Sequence, residues 1–109
     1  MSCKMEYCSL VVYVPDAHAD IVKEALFLAG GGNIGNYSKC CWQTQGVGQF
    51  LPGEESSPYA GEKNRIEKQQ ECRIELLCPS DRMENIVNAL KDAHPYETPA
   101  FHYWKVAIA

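Results

Sequence analysis

The chain has 109 residues and a net charge of −4 at pH 7, from 10 Lys and Arg against 14 Asp and Glu. That length predicts one domain over residues 1–109 with a core of its own. The basic residues are spread along the chain, which argues against a nucleic-acid partner, and no apolar run approaches the length of a membrane span. Residues 1–6 do not resemble a signal peptide. We therefore expect a soluble cytoplasmic protein with neither a nucleic-acid nor a membrane partner.

The stretch "YCSLVVYVP" predicts the first strand. Apolar side chains alternate along it, as in a strand with one buried face. The side chains of that face are Cys8, Leu10, Val12 and Val14. Pro15 ends the strand, and Asp16 is in position to cap a helix that follows.

The stretch "AHADIVKEALFLA" predicts the first helix. Ile21, Ala25 and Leu28 recur at helical spacing and are expected to form its apolar face. A run of glycines then ends the helix. Residues 30–36 form a loop that leads to a second strand, predicted in "YSKCCWQTQ".

Residues 46–65, "GVGQFLPGEESSPYAGEKNR", form a loop that is too long for a simple hairpin turn. Loops of this length in compact domains are functional or disordered. Gly46 and Gly48 indicate a bend or a close backbone approach where the loop leaves the second strand. The alternative interpretation is a mobile surface loop with no ligand.

The second half of the chain repeats this order. "CRIELLCP" alternates between a core side and a polar side, and Ser80 is placed to cap the helix that follows. Pro95 disfavours helical geometry at His94 and ends that helix. The core side chains of the strand and helix are Cys72, Ile74, Leu76, Cys78, Met83, Ile86, Val87 and Leu90. Residues 94–100 then lead to a last strand, "FHYWKVAI".

The two halves align with each other without a gap, which indicates an internal duplication. The aligned pairs include Cys8 with Cys72, Pro15 with Pro79, Val22 with Ile86, and Leu26 with Leu90. The resulting order, β-α-β-β-α-β, predicts an α+β, ferredoxin-like fold with an antiparallel sheet and both helices on one face.

The face of this sheet away from the helices is predicted to be mixed in character. Its polar members are Glu71, Arg73 and Glu75, and its aromatic members are expected to be Tyr7, Tyr13, Phe101 and Tyr103. A mixed surface of this kind favours self-association over an open, hydrated sheet.

The cysteines, an even number, are Cys3, Cys8, Cys40, Cys41, Cys72 and Cys78. Disulfides require an oxidising compartment, which this sequence does not indicate, and no C-x-x-C pair is present. We expect most of the cysteines to be small buried hydrophobic residues.

In the predicted fold the two short loops lie at opposite ends of the sheet. "GGGNIGN" lies where the first strand begins, and "HPYETPA" lies where the third strand begins, together with the long loop. His94, Tyr96 and Glu97 are therefore expected to meet the long loop and to lie far from Asn36 of the same chain. A site that used both short loops would have to lie between subunits.

The cluster at residues 94–97 has a functional and a structural interpretation. The carbonyl dipoles at a helix C-terminus favour an imidazolium at His94, Glu97 is within reach of it in a tight turn, and Tyr96 offers a ring and a hydroxyl. Such groups bind a small polar ligand or transfer a proton. The structural alternative is that His94 caps carbonyls, Tyr96 packs and Glu97 closes the turn.

Other kinds of site find less support. His18, His94 and His102 have no metal-ligand spacing, so a metal site would need separate strands or subunits and Cys40 or Cys41. "GGGNIG" follows a helix, so it is a helix end and a turn, not a phosphate loop. No nucleophile–base pair is visible, so we assign no catalytic residue, no metal ligand and no cofactor, and favour a protein that is not an enzyme.

Three motifs resemble one known family. They are "G-x-I-G-N-Y-S" from Gly32, "G-x-G-x-F" from Gly46, and "H-P-Y-E" from His94. Together they resemble the insert domain of the YqfO family, and the chain looks like a free-standing copy of it. The resemblance implies a PII-like and CutA-like fold, commonly trimeric, without the dinuclear metal centre, whose ligands lie in the domains flanking the insert.

The candidate ligand-binding residues follow from these motifs and from the predicted geometry. They are Gly35, Asn36, Tyr37, Gly46, Gly48, His94, Tyr96 and Glu97. Our main hypothesis is a small homo-oligomeric module, a trimer or a dimer, that binds a small molecule or acts in regulation, with its site near an inter-subunit cleft. The alternatives are a CutA-like metal-binding protein and a protein–protein interaction module.

Overall fold

The computed structural model describes residues 5–59 and 61–108. Its elements, in chain order, are β1 (Tyr7–Pro15), α1 (Ala19–Leu28), β2 (Trp42–Phe50), β3 (Glu67–Pro79), α2 (Met83–Ala93) and β4 (Phe101–Val106). The strands form one antiparallel sheet in the order β2-β3-β1-β4. The ferredoxin-like fold predicted from the sequence is confirmed. Within the described residues, neither helix is long and apolar enough to cross a membrane.

The core lies between the helices and one face of β1 and β3. Every second residue is fully or almost fully buried from Cys8 to Val14 of β1 and from Cys72 to Cys78 of β3, and the predicted core face of each strand is confirmed. Cys8, Cys72 and Cys78 belong to this core, and burial raises the pKa of Cys78 to about 12. The prediction is wrong for Cys41, which is exposed, and Cys40 is only half-buried. Cys3 lies outside the described residues.

Helix α1 presents a different face to the core from the one that its spacing predicts. Val22 and Leu26 are fully buried, whereas Ile21 and Leu28 are exposed, Leu28 by 92%. The predicted face of α1 is therefore wrong. On α2 the predicted face is correct, because Met83, Ile86 and Leu90 are its buried residues.

Neither helix begins with the side-chain cap that the sequence predicts. A 3-10 turn precedes each helix, and no side-chain hydrogen bond caps it. The carboxylate of Asp16 instead accepts hydrogen bonds from Cys72 Sγ at 3.1 Å and from Gln45 Nε2 at 3.0 Å. Asp16 thus joins the start of the first turn to β2 and β3.

Strand β2 lies further along the chain than predicted. It begins at Trp42, not at Tyr37, and it continues to Phe50. The preceding residues include Lys39 with a positive φ of 58°, which an extended strand does not allow. Gly46 and Gly48 therefore lie within β2, and the long loop shortens to residues 51–66.

The sheet face opposite the helices is open and carries polar and aromatic side chains. The Arg73 guanidinium lies 5.9 Å from the centre of the Tyr13 ring, and the rings of His102 and Trp104 stack at 5.6 Å. The register corrects the prediction for Phe101 and Tyr103. Because they pair with Val12 and Leu10, they point to the helix side, and Phe101 packs against the core.

Candidate functional site

A cavity of about 870 Å³ lies at the end of the open face where β1 ends and β3 begins. Three segments form its walls: the sheet, the first part of the long loop, and the turn after α2. The side chains that matter for its chemistry are Glu71, Arg73, Phe50, Tyr59, Tyr96 and Glu97. The volume is in the range of small-molecule sites.

The turn after α2 is fixed by His94, which lies behind the cavity wall. Pro95 holds His94 in an extended conformation, with φ −75° and ψ 135°, so the helix stops there. The buried imidazole donates from Nε2 to the carbonyl oxygen of Tyr13 at 2.7 Å. Its Nδ1 accepts a hydrogen bond from the backbone N–H of Tyr96 at 3.1 Å. One donor and one acceptor are what a neutral imidazole offers.

The predicted imidazolium at His94 is therefore wrong. Burial lowers the pKa of His94, and this outweighs the raising effects of the Tyr13 hydrogen bond and of the Glu71 charge. The helix dipole, on which that prediction rests, stabilises the charged form of an exposed group by only about 0.3 to 1 kcal/mol. The structural interpretation of His94 is the one that its contacts support.

Tyr96 lies between His94 and the cavity and presents both its ring and its hydroxyl. The hydroxyl donates to Glu71 Oε2 at 2.7 Å. Burial, and next the carboxylate of Glu71, raise the pKa of Tyr96 well above its usual value, so the hydroxyl keeps its proton. Its ring lies 5.6 Å from that of Phe50 and 6.1 Å from that of Tyr59.

Glu97 fastens the long loop to the turn after α2. Its Oε2 accepts a hydrogen bond from the backbone N–H of Ser57 at 2.8 Å. The predicted meeting of the long loop with residues 94–97 is confirmed by this bond. The predicted approach of Glu97 to His94 is not found, because both ring nitrogens of His94 have other partners.

Glu71 is the main feature of the site that the sequence analysis did not select. The alternation of β3 predicts its place on the open face correctly, but Glu71 is not among the candidate ligand-binding residues. It is 9% exposed, beneath the long loop and Tyr96. A Cβ at Gly48 would overlap the Glu71 carboxylate, so a larger residue there would displace this side chain. The sequence signal that could have found it is this glycine within a strand.

The candidate residues fall into two groups. Gly46, Gly48, Tyr96 and Glu97 line the cavity, and His94 belongs with them but lies behind the wall. Gly35, Asn36 and Tyr37 lie at the other end of the sheet, where Gly32 N–H bonds to the carbonyl of Leu77 and Ile34 pairs with Tyr37. The predicted separation of the two short loops is thus confirmed, and one chain does not bring the two groups together.

A smaller cavity of about 290 Å³ lies at this other end of the sheet, near Gly35, Asn36 and Tyr37. Its lining includes Ile34, Cys40, Cys41 and Trp42. Within residues 5–59 and 61–108, no three His, Cys, Asp or Glu side chains gather as metal ligands. His18 packs edge-on against Tyr59 at 5.4 Å, and His102 stacks on Trp104. Each of the three histidines thus makes contacts of its own: His94 with the Tyr13 carbonyl, His18 with Tyr59, and His102 with Trp104.

Comparison with known proteins gives the chain a family. A family model described as CutA1 divalent ion tolerance protein matches residues 51–109, more than half of the chain. CutA1 from Pyrococcus horikoshii has the same fold, with a TM-score of 0.67 over 94% of this chain and 85% of that one, at 18% identity.

Longer proteins contain a similar domain. A GTP cyclohydrolase 1 type 2 homolog of Mycobacterium leprae is 44% identical over 91 residues, which are 84% of this chain and 24% of that protein. A Bacillus cereus protein related to NIF3 superposes with a TM-score of 0.82 at 35% identity, over 96% of this chain and 27% of that one. These matches support the link to the NIF3/YqfO proteins. The chain spans about a quarter of the length of the curated relatives it matches.

Proposed function

The chain belongs to the family of CutA1 divalent ion tolerance proteins, and from this premise we propose that it is a small oligomeric module that binds an organic ligand. The ligand occupies the cavity between β2, β3, the long loop and the turn after α2. Binding there alters the position of the loop, which gives the module a regulatory output. A cytoplasmic location and a single domain over residues 1–109 stay predictions.

The observation that carries this proposal is that the long loop covers part of the cavity. The long loop contributes Leu51, Pro52 and Tyr59 to its lining, and the Ser57–Glu97 hydrogen bond holds the loop in place. Long loops that cover a concave site are typical of ligand-binding proteins. The mainly apolar lining with a few polar groups is also typical of small-molecule sites.

An oligomer would complete the site. The open face and its edge strands carry large exposed side chains, including Trp42, Val47 and Trp104. Single exposed apolar residues are ordinary, but several on one sheet favour an interface. In an oligomer of this kind, the loop with Gly35, Asn36 and Tyr37 of one subunit borders the cavity of a neighbour.

The metal-binding alternative has the name of the CutA1 family as its support. In the part of the chain that the structure describes, His, Cys, Asp and Glu do not form a three-ligand group. A metal would therefore need ligands from more than one subunit. The activity in the name of the longer relatives belongs to proteins of which this chain spans about a quarter.

A cavity-filling variant tests the proposal. We expect at least one member of a metabolite panel, nucleotides included, to bind the wild-type protein in isothermal titration calorimetry. Gly46 lines the cavity, and a Cβ there would meet no atom within 4 Å. Gly46→Phe is therefore expected to fill the cavity and to abolish binding without unfolding the protein.

The matched control is Ile21→Phe, which adds a phenyl ring at an exposed position of α1. It should bind the ligand as the wild type does. The proposal fails if no panel member binds, or if binding survives in Gly46→Phe. Stoichiometric divalent metal in the freshly purified protein, lost on substitution of His or Cys, would favour the metal-binding alternative.

A further inference from the structure

The carboxylate of Glu71 is buried at the cavity wall with little to balance its charge. Its Oε2 accepts one hydrogen bond, from the Tyr96 hydroxyl at 2.7 Å. Among residues 5–59 and 61–108, no ion pair includes Glu71. A buried carboxylate without a cation is costly, and proteins normally pair such groups.

The carboxylate of Glu71 lies in a space that the neighbouring strand leaves free. Gly48 on β2 has no side chain, and the Glu71 carboxylate occupies the space that a Cβ would need. Its Oε1 is thereby placed at the β2 side of the cavity lining, to which both residues contribute. The chain thus keeps space for a carboxylate at a site that a ligand can reach.

The other charged groups of the cavity do not neutralise Glu71. The carboxylates in its lining are those of Glu71, Glu75 and Glu97, and Arg73 supplies the cation there. The Arg73 guanidinium is already engaged, because Nε donates to Glu75 Oε1 at 2.8 Å and NH1 donates to the Tyr13 hydroxyl at 3.3 Å. Three carboxylates against one guanidinium leave the lining with a net negative charge, and such a concave site attracts ligands of the opposite sign.

Aromatic rings complete the environment of this carboxylate. Tyr96 touches Glu71 through its hydroxyl, and its ring is flanked by those of Phe50 and Tyr59. Aromatic faces attract cations, and most strongly those that have been removed from water. The same rings provide apolar surface for the body of a ligand.

We propose that the ligand of this cavity is an organic cation whose amine, amidinium or guanidinium group pairs with Glu71. Its apolar body packs against Phe50, Tyr59 and Tyr96. This inference rests on the proposed function, since it specifies the chemistry of the molecule that occupies the same cavity. It also ranks the metabolite panel: amines and guanidines bind, and nucleotides and other anions bind weakly.

Three probes of one shape test the charge preference. They are benzamidine, which is a cation, benzamide, which is neutral, and benzoate, which is an anion. Binding is measured by chemical-shift changes in two-dimensional NMR spectra of the labelled protein. We expect benzamidine to bind with shifts at residues around Glu71, and benzamide and benzoate to bind at least about tenfold more weakly, as expected for the loss of a desolvated charge pair.

Two variants with the same change of net charge separate local pairing from general attraction. Glu71→Gln still accepts a hydrogen bond from Tyr96 but carries no charge, so it should remove the preference for benzamidine over benzamide. The control is Glu84→Gln, an exposed position on α2, which should keep the preference. Two-dimensional spectra of both variants also confirm that they are folded.

Equal binding of benzamidine and benzamide, or tighter binding of benzoate, would overturn the inference. It would also fall if Glu71→Gln kept the preference for benzamidine. Dissociation of the oligomer by Glu71→Gln, measured by sedimentation, would overturn it as well, since the cation that pairs with Glu71 would then belong to a second copy of the chain and not to a ligand. An anionic panel member whose binding Gly46→Phe abolishes would leave the proposed function intact. If neither the panel nor the probes bind, both proposals fail.

Discussion

His94 holds the end of α2 against β1 only while its ring is neutral, because Nδ1 must accept a hydrogen bond from Tyr96 N–H. Burial lowers the pKa of His94 in the folded state below its ordinary value of 6.5. Between the two values the unfolded chain binds a proton that the folded chain does not. We therefore expect the free energy of unfolding to fall as pH drops below about 6.5, measured by urea unfolding at several pH values.

His94→Gln tests the origin of this pH dependence. It should lower stability at neutral pH by about 1 to 3 kcal/mol through lost hydrogen bonds, and it should flatten the decline between neutral pH and pH 5. His102→Gln, at an exposed position of β4, is the control and should keep the wild-type slope. An unchanged slope in His94→Gln would assign the effect to other groups.

The residues of the site show where sequence reasoning reaches its limit. The motif around His94 correctly indicates a structured turn, and the topology correctly predicts that the long loop meets it. The protonation of His94 and the burial of Glu71 depend on atoms that are distant in sequence: the carbonyl of Tyr13 and the ring of Tyr96. Local spacing contains no information on such contacts.

At the scale of the element, β2 offers a matched pair of glycines on one face of one strand. A methyl group on Gly48 would overlap the Glu71 carboxylate, whereas a methyl group on Gly46 would meet nothing within 4 Å. We expect Gly48→Ala to destabilise the fold by about 1 to 3 kcal/mol, as overpacked sites do. Gly46→Ala should be neutral or stabilising by up to about 1 kcal/mol, since it restricts the unfolded chain.

Thermal or urea unfolding of the two variants measures this difference directly. Spectra of Gly48→Ala should also show shifts at Tyr96, because the displaced carboxylate can no longer accept its hydroxyl in the same place. Equal stability of the two variants would mean that Glu71 moves aside without cost, and that Gly48 does not fix its position.

Helix α1 shows why the element type is easier to predict than the face it buries. Apolar residues occupy most positions of α1, so helical spacing alone allows Ile21 and Leu28 as well as Val22 and Leu26. The internal duplication distinguishes them, since it aligns Val22 and Leu26 with buried residues of α2. The late start of β2 had no comparable signal, because Tyr37 and the residues after it have ordinary strand propensity.

At the scale of the whole molecule, the chain is elongated. Its extents are 57 × 24 × 21 Å and its radius of gyration is 15.3 Å, against about 13 Å for a compact domain of similar length. An extended shape with exposed Trp42 and Trp104 favours assembly over a monomer. We expect sedimentation equilibrium to give a multiple of 12.2 kDa, the mass of one chain.

Introducing a charge into the exposed apolar surface tests which face of the protein forms the interface. Trp42→Glu and Trp104→Glu should shift the mass toward that of a monomer, because each would bury an unpaired carboxylate in the interface. Leu28→Glu changes an apolar side chain of α1 that is more exposed than either tryptophan, and it should leave the mass unchanged. A monomeric wild type would remove the oligomer from the proposed function.

The order of strands in the sheet has a consequence for how the chain reaches this structure. The pairs are β1 with β3, β1 with β4, and β2 with β3, so each of them joins the first half of the sequence to the second. Among residues 5–59 and 61–108, neither half pairs two of these four strands with each other. We expect that cleavage in the long loop would leave two fragments that fold only together. In the intact chain, residues 51–66 or a longer segment must close before any two strands pair, and such non-local pairing makes folding slow and cooperative.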